Sequence, residues 1–118
     1  MTTEPAADAR LLPPTVRDYL TAHAARDVPA ALRAFAPDAV VTDQGETFRG
    51  TEEVRDFLAR AGGPYTWTAE LTGVQRVDDT HWVVTNRLEG DFPGGVADLD
   101  YRFSLAGEAI TELAIVPR

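Results

Sequence analysis

The sequence predicts an α+β fold in which three N-terminal helices pack on a curved, mostly antiparallel sheet. Apolar residues in the first half of the chain recur at three- and four-residue spacing, as on helices. The second half is rich in β-branched and aromatic residues, as in strands. Helices followed by antiparallel strands are typical of α+β domains. The length of 118 residues allows one domain, which we expect at residues 13–118, after a flexible tail at residues 1–12.

Each helix is predicted by an apolar face and by residues that start or stop helices. The first begins at Pro13-Pro14, since proline is favoured at a helix entrance, and its predicted buried face is Val16, Tyr19, Leu20, His23 and Ala24. The second is opened by Pro29 and ended by Pro37-Asp38. Thr51 is the expected N-cap of the third helix, and Gly62-Gly63-Pro64 is its expected end.

The strands follow from short apolar or alternating runs between turn residues. Ala39 to Asp43 is predicted as a short strand, with a turn at Gln44-Gly45-Glu46 and a brief return strand at Thr47-Phe48. Four longer strands are expected at residues 65–77, 81–92, 96–105 and 108–116. A sheet that curls around a layer of helices encloses a cone, and an apolar cone is a natural ligand pocket.

Composition excludes several kinds of chemistry. The formal net charge is -8, so nucleic acid and anionic membranes are poor partners. All 11 basic residues are arginine, which removes Schiff-base lysine chemistry, and the lack of cysteine removes thiolate nucleophiles. The only two histidines, His23 and His81, are too distant in sequence to show metal-ligand spacing. We therefore expect neither a metal nor a cofactor, and no secretory signal is visible, so the expected compartment is the cytoplasm.

Asp43 is the residue with the clearest chemical possibility. It lies at the end of the first predicted strand, and a strand-end carboxylate inside an apolar cavity can act as a general base. The alternative is that Asp43 caps the Gln44-Gly45 turn through its own backbone, as aspartate often does.

The order of elements resembles the cystatin-like α+β barrel of the nuclear transport factor 2-like superfamily, most closely its SnoaL-like branch. Five segments carry the resemblance, namely residues 16–20, 26–27, 35–43, 49–58 and 101–103. This superfamily includes isomerases, cyclases, hydrolases, dehydratases and non-catalytic binding proteins, so the resemblance implies the fold more strongly than the chemistry. It also implies a homodimer formed through the outer face of the sheet.

The resemblance extends to individual residues of ketosteroid isomerases. That class carries an oxyanion-holding tyrosine on the first helix and a base aspartate at the end of the first strand, and Tyr19 and Asp43 stand at these places. The second carboxyl donor of the class lies on a late strand, and Leu99 stands at its place. Asp98 and Asp100 flank Leu99, but alternation turns them to the opposite face. Tyr19 can alternatively be a core aromatic residue whose hydroxyl binds the backbone.

Further residues are candidates for a ligand pocket. His23 lies one turn after Tyr19 on the same helical face, and it is either a second acid–base group or a locally hydrogen-bonded side chain. Asn86 interrupts an apolar row along its strand, so it either orients a ligand or is a satisfied core amide. The aromatic candidates, most of which suit an ordinary core better, are Phe48, Phe57, Trp67, Trp82, Phe92, Tyr101 and Phe103.

These features lead to one main functional hypothesis and two alternatives. The main hypothesis is a protein that binds a small apolar molecule and performs proton-transfer chemistry, such as isomerisation or cyclisation, with Asp43 as base and Tyr19 as hydrogen-bond donor. One alternative is a non-catalytic ligand-binding or dimerisation module of the same fold. The other is a hydrolase or dehydratase that activates water with Asp43 and Asn86.

Overall fold

The computed structural model describes residues 11–60 and 65–118. These residues form three helices and six strands. In chain order they are α1 (Pro14–Ala24), α2 (Val28–Leu32), β1 (Phe35–Asp43), β2 (Glu46–Arg49), α3 (Gly50–Arg60), β3 (Trp67–Arg76), β4 (His81–Gly90), β5 (Val96–Ala106) and β6 (Ala109–Pro117).

The six strands form one sheet in the order β2-β1-β6-β5-β4-β3. All neighbours are antiparallel except β1 and β6, which run parallel. Helix α3 packs on β1 and α1 packs on β6, so the helices cover one face of a curved sheet. The predicted α+β class and the predicted helix and strand order are confirmed.

The core lies between the helices and the inner face of the sheet. Its fully buried large side chains come from α1, α3 and four of the strands, and they are Val16, Tyr19, Val41, Val54, Val84, Phe103, Ile110 and Leu113. Helix α1 begins after Pro13, and Pro14 occupies its first turn, as predicted. Its buried face differs by one position from the prediction, because Ala22 is buried while Ala24 is exposed.

The end of α2 was predicted wrongly. The helix stops at Leu32, and the chain is already extended at Phe35, so Pro37-Asp38 lies inside β1 rather than at a helix end. The register between β1 and β6 shifts between Phe35 and Val40. Proline cannot donate a ladder hydrogen bond, and such an irregularity accommodates it within a strand.

The start of α3 also differs from the prediction. The carboxylate of Glu53 accepts a hydrogen bond of 2.8 Å from the backbone N–H of Arg49, which is the residue before the helix. The Thr51 hydroxyl instead donates to the carbonyl of Pro37 at 3.5 Å, so Thr51 is not the N-cap. The predicted helix end at Gly62-Gly63-Pro64 lies outside the described residues.

Leu12 marks how early the folded part of the chain begins. The sequence prediction places Leu12 in the tail, yet its side chain is 3% exposed and belongs to the core cluster. The domain therefore starts no later than Leu12, while residues 1–10 of the predicted tail lie outside the described part. Across residues 11–60 and 65–118, the helices are too short or too polar to traverse a bilayer.

Candidate functional site

A cavity of about 300 Å³ opens between the sheet and the helices. Its wall combines a histidine, a carboxylate and an amide with aromatic and aliphatic side chains, contributed by His23, Asp43, Gln44, Phe57, Tyr65, Trp67, Leu88, Phe92, Ala97, Leu99, Tyr101 and Ile115. A mostly apolar wall with a few polar groups is typical of a small-molecule site.

Strand pairing brings three of these residues into one row. Asp43 on β1 pairs with Ile115 on β6, and Ile115 pairs with Tyr101 on β5. Directly paired residues project from the same face of a sheet. Asp43 and Tyr101 therefore flank the apolar Ile115, at two strand spacings or about 10 Å between their backbones. This spacing leaves room for a flat ring between the carboxylate and the phenol.

Asp43 carries a carboxylate that is only partly solvated. Its Oδ1 atom is buried and has no hydrogen-bond partner among the described residues. Burial raises the pKa of Asp43 above its ordinary value, and the nearby charge of Glu46 raises it further. An aspartate that caps a turn would accept hydrogen bonds from backbone N–H groups. The unpartnered Oδ1 instead favours a group that is free to accept a proton.

Tyr19 lies deep beneath the cavity, in a cage of aromatic rings. Its ring stacks on His23 at 5.5 Å between centroids and meets the edges of Phe35 at 5.4 Å and Phe103 at 5.7 Å. Its hydroxyl is buried and has no hydrogen-bond partner within the described residues. Burial raises the pKa of Tyr19 well above its ordinary value, and the charges of Tyr101 and Asp43 raise it further. The phenol therefore keeps its proton and remains a potential donor.

His23 connects Tyr19 with the cavity wall. Its ring centroid lies 5.5 Å from that of Trp67 and 6.4 Å from that of Tyr101. Burial, helped by the positive charge of Arg26, lowers the pKa of His23 to about 4. The imidazole is thus neutral at pH 7, and it can donate or accept a hydrogen bond without carrying charge.

Arg26 lies over Trp67, which lines the cavity. The Arg26 guanidinium donates a 2.7 Å hydrogen bond to the carbonyl of Tyr65 and lies 5.1 Å from the centre of the Trp67 ring. Arg26 has a φ of 57°, which places its backbone in the left-handed region between α1 and α2. The Trp67 indole N–H is buried without a partner in the part of the chain that the structure describes.

Asn86 lies on a different wall from Asp43. It borders an adjoining groove of about 440 Å³, which shares His23, Trp67 and Tyr101 with the first cavity. Asn86 is on β4 and Asp43 is on β1, three strands apart in the sheet order, or about 14 Å. A single water molecule cannot bridge that distance, so the geometry gives no support to a water-activating pair of Asp43 and Asn86.

The remaining candidates divide into those that line the cavity and those that do not. Phe57 and Leu99 line it. Phe48 packs against Phe57 at 5.3 Å between ring centroids and does not border the cavity. Trp82 pairs with Phe103 and Arg76 near the other end of β4, away from Asp43.

Five lining residues were not among the sequence candidates for the site, namely Gln44, Tyr65, Leu88, Ala97 and Ile115, whereas the candidate Phe92 does line it. Leu88 shares the period-two row that singled out Asn86, so the pattern contained a signal for it. Ile115 becomes a site residue only through its pairing with Asp43 across parallel strands. No local pattern indicates such a long-range contact.

The described residues contain no group of three or more histidine, cysteine, aspartate or glutamate side chains that could hold a metal ion.

The match of residues 16–112 to the model of the SnoaL-like domain decides the family. The chain belongs to the SnoaL-like family. No curated protein matches the sequence.

Solved structures agree with this assignment. A candidate polyketide cyclase from Sinorhizobium meliloti is 31% identical, with a TM-score of 0.82 over 89% of this chain and 95% of that one. A Catenulispora acidiphila protein with a ketosteroid isomerase-like fold, in complex with trimethylamine, is 21% identical, with a TM-score of 0.76 over 88% and 85% of the two chains. TerC, co-crystallised with polyporic acid, is 16% identical, with a TM-score of 0.74 over 88% of each chain.

The last two likenesses show the fold alone, because their identities are low. The predicted relationship to the SnoaL-like branch and the predicted cystatin-like layout are confirmed.

Proposed function

We propose that this SnoaL-like protein binds a small, flat, mostly apolar carbonyl compound and catalyses a proton transfer on it. Asp43 acts as the general base, and Tyr19 is a hydrogen-bond donor that stabilises the developing negative charge. An isomerisation or a cyclisation would follow from this step.

The observation that carries the proposal is a pair of unsatisfied polar groups, one in the wall of the cavity and one buried behind that wall, where it contacts the lining residue His23. The Asp43 Oδ1 atom and the Tyr19 hydroxyl are both buried and both lack partners within the described residues. An unpaired buried polar atom costs about 1–3 kcal/mol. Such atoms persist where a ligand completes them, and sites of this kind trade stability for function.

The proposed step is balanced with respect to protons and charge. The Asp43 carboxylate takes a proton from the carbon next to the ligand carbonyl, and the C–H electron pair forms a C=C bond while the oxygen becomes an enolate. The raised pKa of Asp43 makes this carboxylate a better base than a solvated one. In an isomerisation, Asp43 then returns the proton to another carbon of the conjugated enolate. In a cyclisation, the enolate carbon forms a C–C bond to a second carbonyl carbon of the ligand, the π pair of that carbonyl moves to its oxygen as an alkoxide, and Asp43 returns the proton to this alkoxide.

The family and its relatives support the same kind of chemistry. The structure from Sinorhizobium meliloti, which shares 31% identity, is described as a candidate polyketide cyclase. A polyketide is a chain of carbonyl groups with acidic C–H bonds between them, and a base next to an oxyanion donor matches that chemistry.

The proposal can be tested with 2-tetralone, a flat bicyclic ketone whose C–H bonds next to the carbonyl are acidic. We expect the protein to accelerate exchange of these hydrogens with D₂O, as followed by NMR. Asp43→Asn should lower the protein-catalysed rate by about 100-fold or more, since a general base contributes 10²–10⁴-fold. Asp38→Asn is the matched control, because Asp38 is an exposed aspartate on the same strand.

Thermal unfolding shows whether a loss of exchange reflects a loss of structure. Asp43→Asn should unfold at the same temperature as the wild type or higher, because it removes a half-buried charge that burial disfavours. If Asp43→Asn and Asp38→Asn both keep the wild-type exchange rate, Asp43 is not the base.

Non-catalytic binding is the second candidate, and one observation favours it. Leu99 lines the cavity where ketosteroid isomerases carry their second carboxyl donor. Binding of 2-tetralone without any acceleration of exchange would support a binding module and reject the catalytic proposal.

We also propose that the chain forms a homodimer through the outer face of the sheet. Val83, Thr85 and Arg87 point to this face, because Trp82, Val84 and Asn86 between them are buried on the inner one. The Arg87 side chain pairs with Glu89 of its own chain at 3.0 Å. An ion pair between Arg87 and a second chain would therefore require Arg87 to leave Glu89 of its own chain.

A further inference from the structure

Tyr101 is a buried tyrosine on the cavity wall that has no role in the proton transfer proposed above. It is 3% exposed, and it borders both the cavity of Asp43 and the adjoining groove. Tyr19, by contrast, is fully buried and lines neither of them. Of the two phenols, Tyr101 is thus the one on the ligand-facing wall.

Tyr101 also lies in register with the proposed base. Asp43, Ile115 and Tyr101 form one row across β1, β6 and β5, on the same face of the sheet. A flat ligand that rests on Ile115 therefore meets a carboxylate at one edge and a phenol at the other. This is the arrangement that removal of a proton and stabilisation of the resulting oxyanion require.

We propose that Tyr101 is a second hydrogen-bond donor to the ligand oxygen, acting with Tyr19, and that the cavity selects flat ligands that carry an enol, enolate or phenol oxygen. This inference rests on the proposed function and adds a hydrogen-bond donor that lies on the wall of the cavity. Tyr101 keeps its proton throughout and forms no covalent bond.

The position of Tyr101 explains how the site functions without a second carboxyl donor. Leu99 takes the place of that donor, and Tyr101 follows two residues later on the same face of β5. Two residues along a strand correspond to about 7 Å. The hydrogen-bond donor is thus displaced by two residues along β5. The longer tyrosine side chain, with its terminal hydroxyl, takes the place of a short carboxyl group.

The groups around Tyr101 keep it in the donor form. Burial, followed by the charge of Asp43, raises the pKa of Tyr101 to about 12. His23, which meets the Tyr101 ring edge at 6.4 Å, is neutral at pH 7 and supplies no positive charge that would oppose this. The phenol therefore donates to a ligand oxygen throughout the neutral range.

The inference is tested by comparing two probes that differ by one hydroxyl, 2-naphthol and naphthalene. Tyr101→Phe removes the donor and keeps the ring. We expect it to weaken 2-naphthol binding by about tenfold, as the loss of one hydrogen bond to a polar ligand does. Naphthalene binding should change less than twofold. Equal weakening of both probes, or of neither, would show that Tyr101 is only an apolar wall.

A measurement on the unmutated protein provides a second test. With ¹³C-labelled tyrosine, the ζ-carbon resonance of Tyr101 should shift when 2-naphthol is added and remain in place when naphthalene is added. A resonance that responds equally to both probes would reject the hydrogen bond.

The exchange of 2-tetralone separates this inference from the proposed function. We expect Tyr101→Phe to lower kcat about tenfold and to change KM less. If Asp43→Asn abolishes exchange while Tyr101→Phe keeps the wild-type kcat, the proposed function stands and the role of Tyr101 is wrong. If no exchange occurs but Tyr101 still distinguishes 2-naphthol from naphthalene, Tyr101 remains a donor and the catalytic proposal fails.

Discussion

At the scale of single residues, the cavity is defined by polar groups that the fold leaves unsatisfied. The Tyr19 hydroxyl, the Asp43 Oδ1 atom and the Trp67 indole N–H are buried without partners among the described residues. Most buried polar groups in proteins are hydrogen-bonded. A fourth exception, the Trp82 indole N–H, lies away from the cavity. Asp43 and Trp67 line the cavity, so their unpaired atoms are available to hydrogen-bond a ligand.

His23 gives a pH dependence that can be checked. Burial and Arg26 lower its pKa from 6.5 to about 4 in the folded state. Between these values the unfolded chain binds a proton that the folded chain does not, so this contribution to stability is complete above pH 6.5 and is lost as the pH falls towards 4. Since one pKa unit corresponds to about 1.4 kcal/mol, the loss amounts to roughly 3 kcal/mol.

The prediction is measured as the free energy of unfolding between pH 7 and pH 4. His23→Gln cannot titrate, so its stability should fall less steeply than that of the wild type over this range. Ala24→Gln is the matched control, because Ala24 is the next residue of α1, is exposed and carries no titratable group, so this variant should keep the wild-type slope. Equal slopes for all three proteins would contradict a buried, neutral His23.

At the scale of secondary-structure elements, the close approach of β3 and β4 positions the cavity rim. Gly90 pairs with Trp67 at the end of this hairpin. A Cβ atom added at Gly90 would lie 2.8 Å from the Trp67 Cβ atom and would also clash with the Thr66 carbonyl oxygen. Glycine is required here because the backbone of β3 passes too close for any side chain.

Gly90→Ala should therefore lower the free energy of unfolding by about 1–3 kcal/mol, the usual range for overpacking. Gly73→Ala is the control on the same sheet, because its added Cβ would make an ordinary contact of 3.5 Å with Thr85. We expect that variant to change stability by less than about 1 kcal/mol. Denaturant unfolding of both variants tests the prediction, which is wrong if they behave alike.

The sequence predictions and the structure differ mainly at the ends of helices. The prediction placed a helix end at Pro37-Asp38, but tertiary pairing with β6 draws Phe35 and its successors into β1. The predicted N-cap at Thr51 is also wrong. The carboxylate of Glu53, inside α3, instead accepts the hydrogen bond from the N–H of Arg49, the residue before the helix. Both errors arise where several residues could supply the same local signal and packing selects one of them.

At the scale of the whole molecule, the proposed homodimer is the property most open to measurement. Val83 is half-buried and points to the outer face of β4. Sedimentation velocity should show a particle of twice the 12.8 kDa chain mass. Val83→Glu should dissociate it, since an unpaired charge in the centre of an interface is costly. Val77→Glu, at an exposed position beyond the end of β3, should not.

The net charge adds a second expectation for the same experiment. Two chains of charge -8 repel each other, and salt screens that repulsion. Added salt should therefore strengthen the dimer. A monomer at all salt concentrations, or a dimer unaffected by Val83→Glu, would place the interface elsewhere or exclude it.

The sequence by itself determined the class of fold and the place of the carboxylate at the end of β1. These properties depend on periodicity, on turn residues and on a family resemblance along the chain, all of which can be read without knowing which strands pair. Only the tertiary structure decided that β1 runs parallel to β6, which places Asp43 in line with Ile115 and Tyr101. It likewise separated Asn86 from Asp43 by three strand spacings. The physical reason is that strand pairing joins residues far apart in sequence, and local patterns contain no record of their partners.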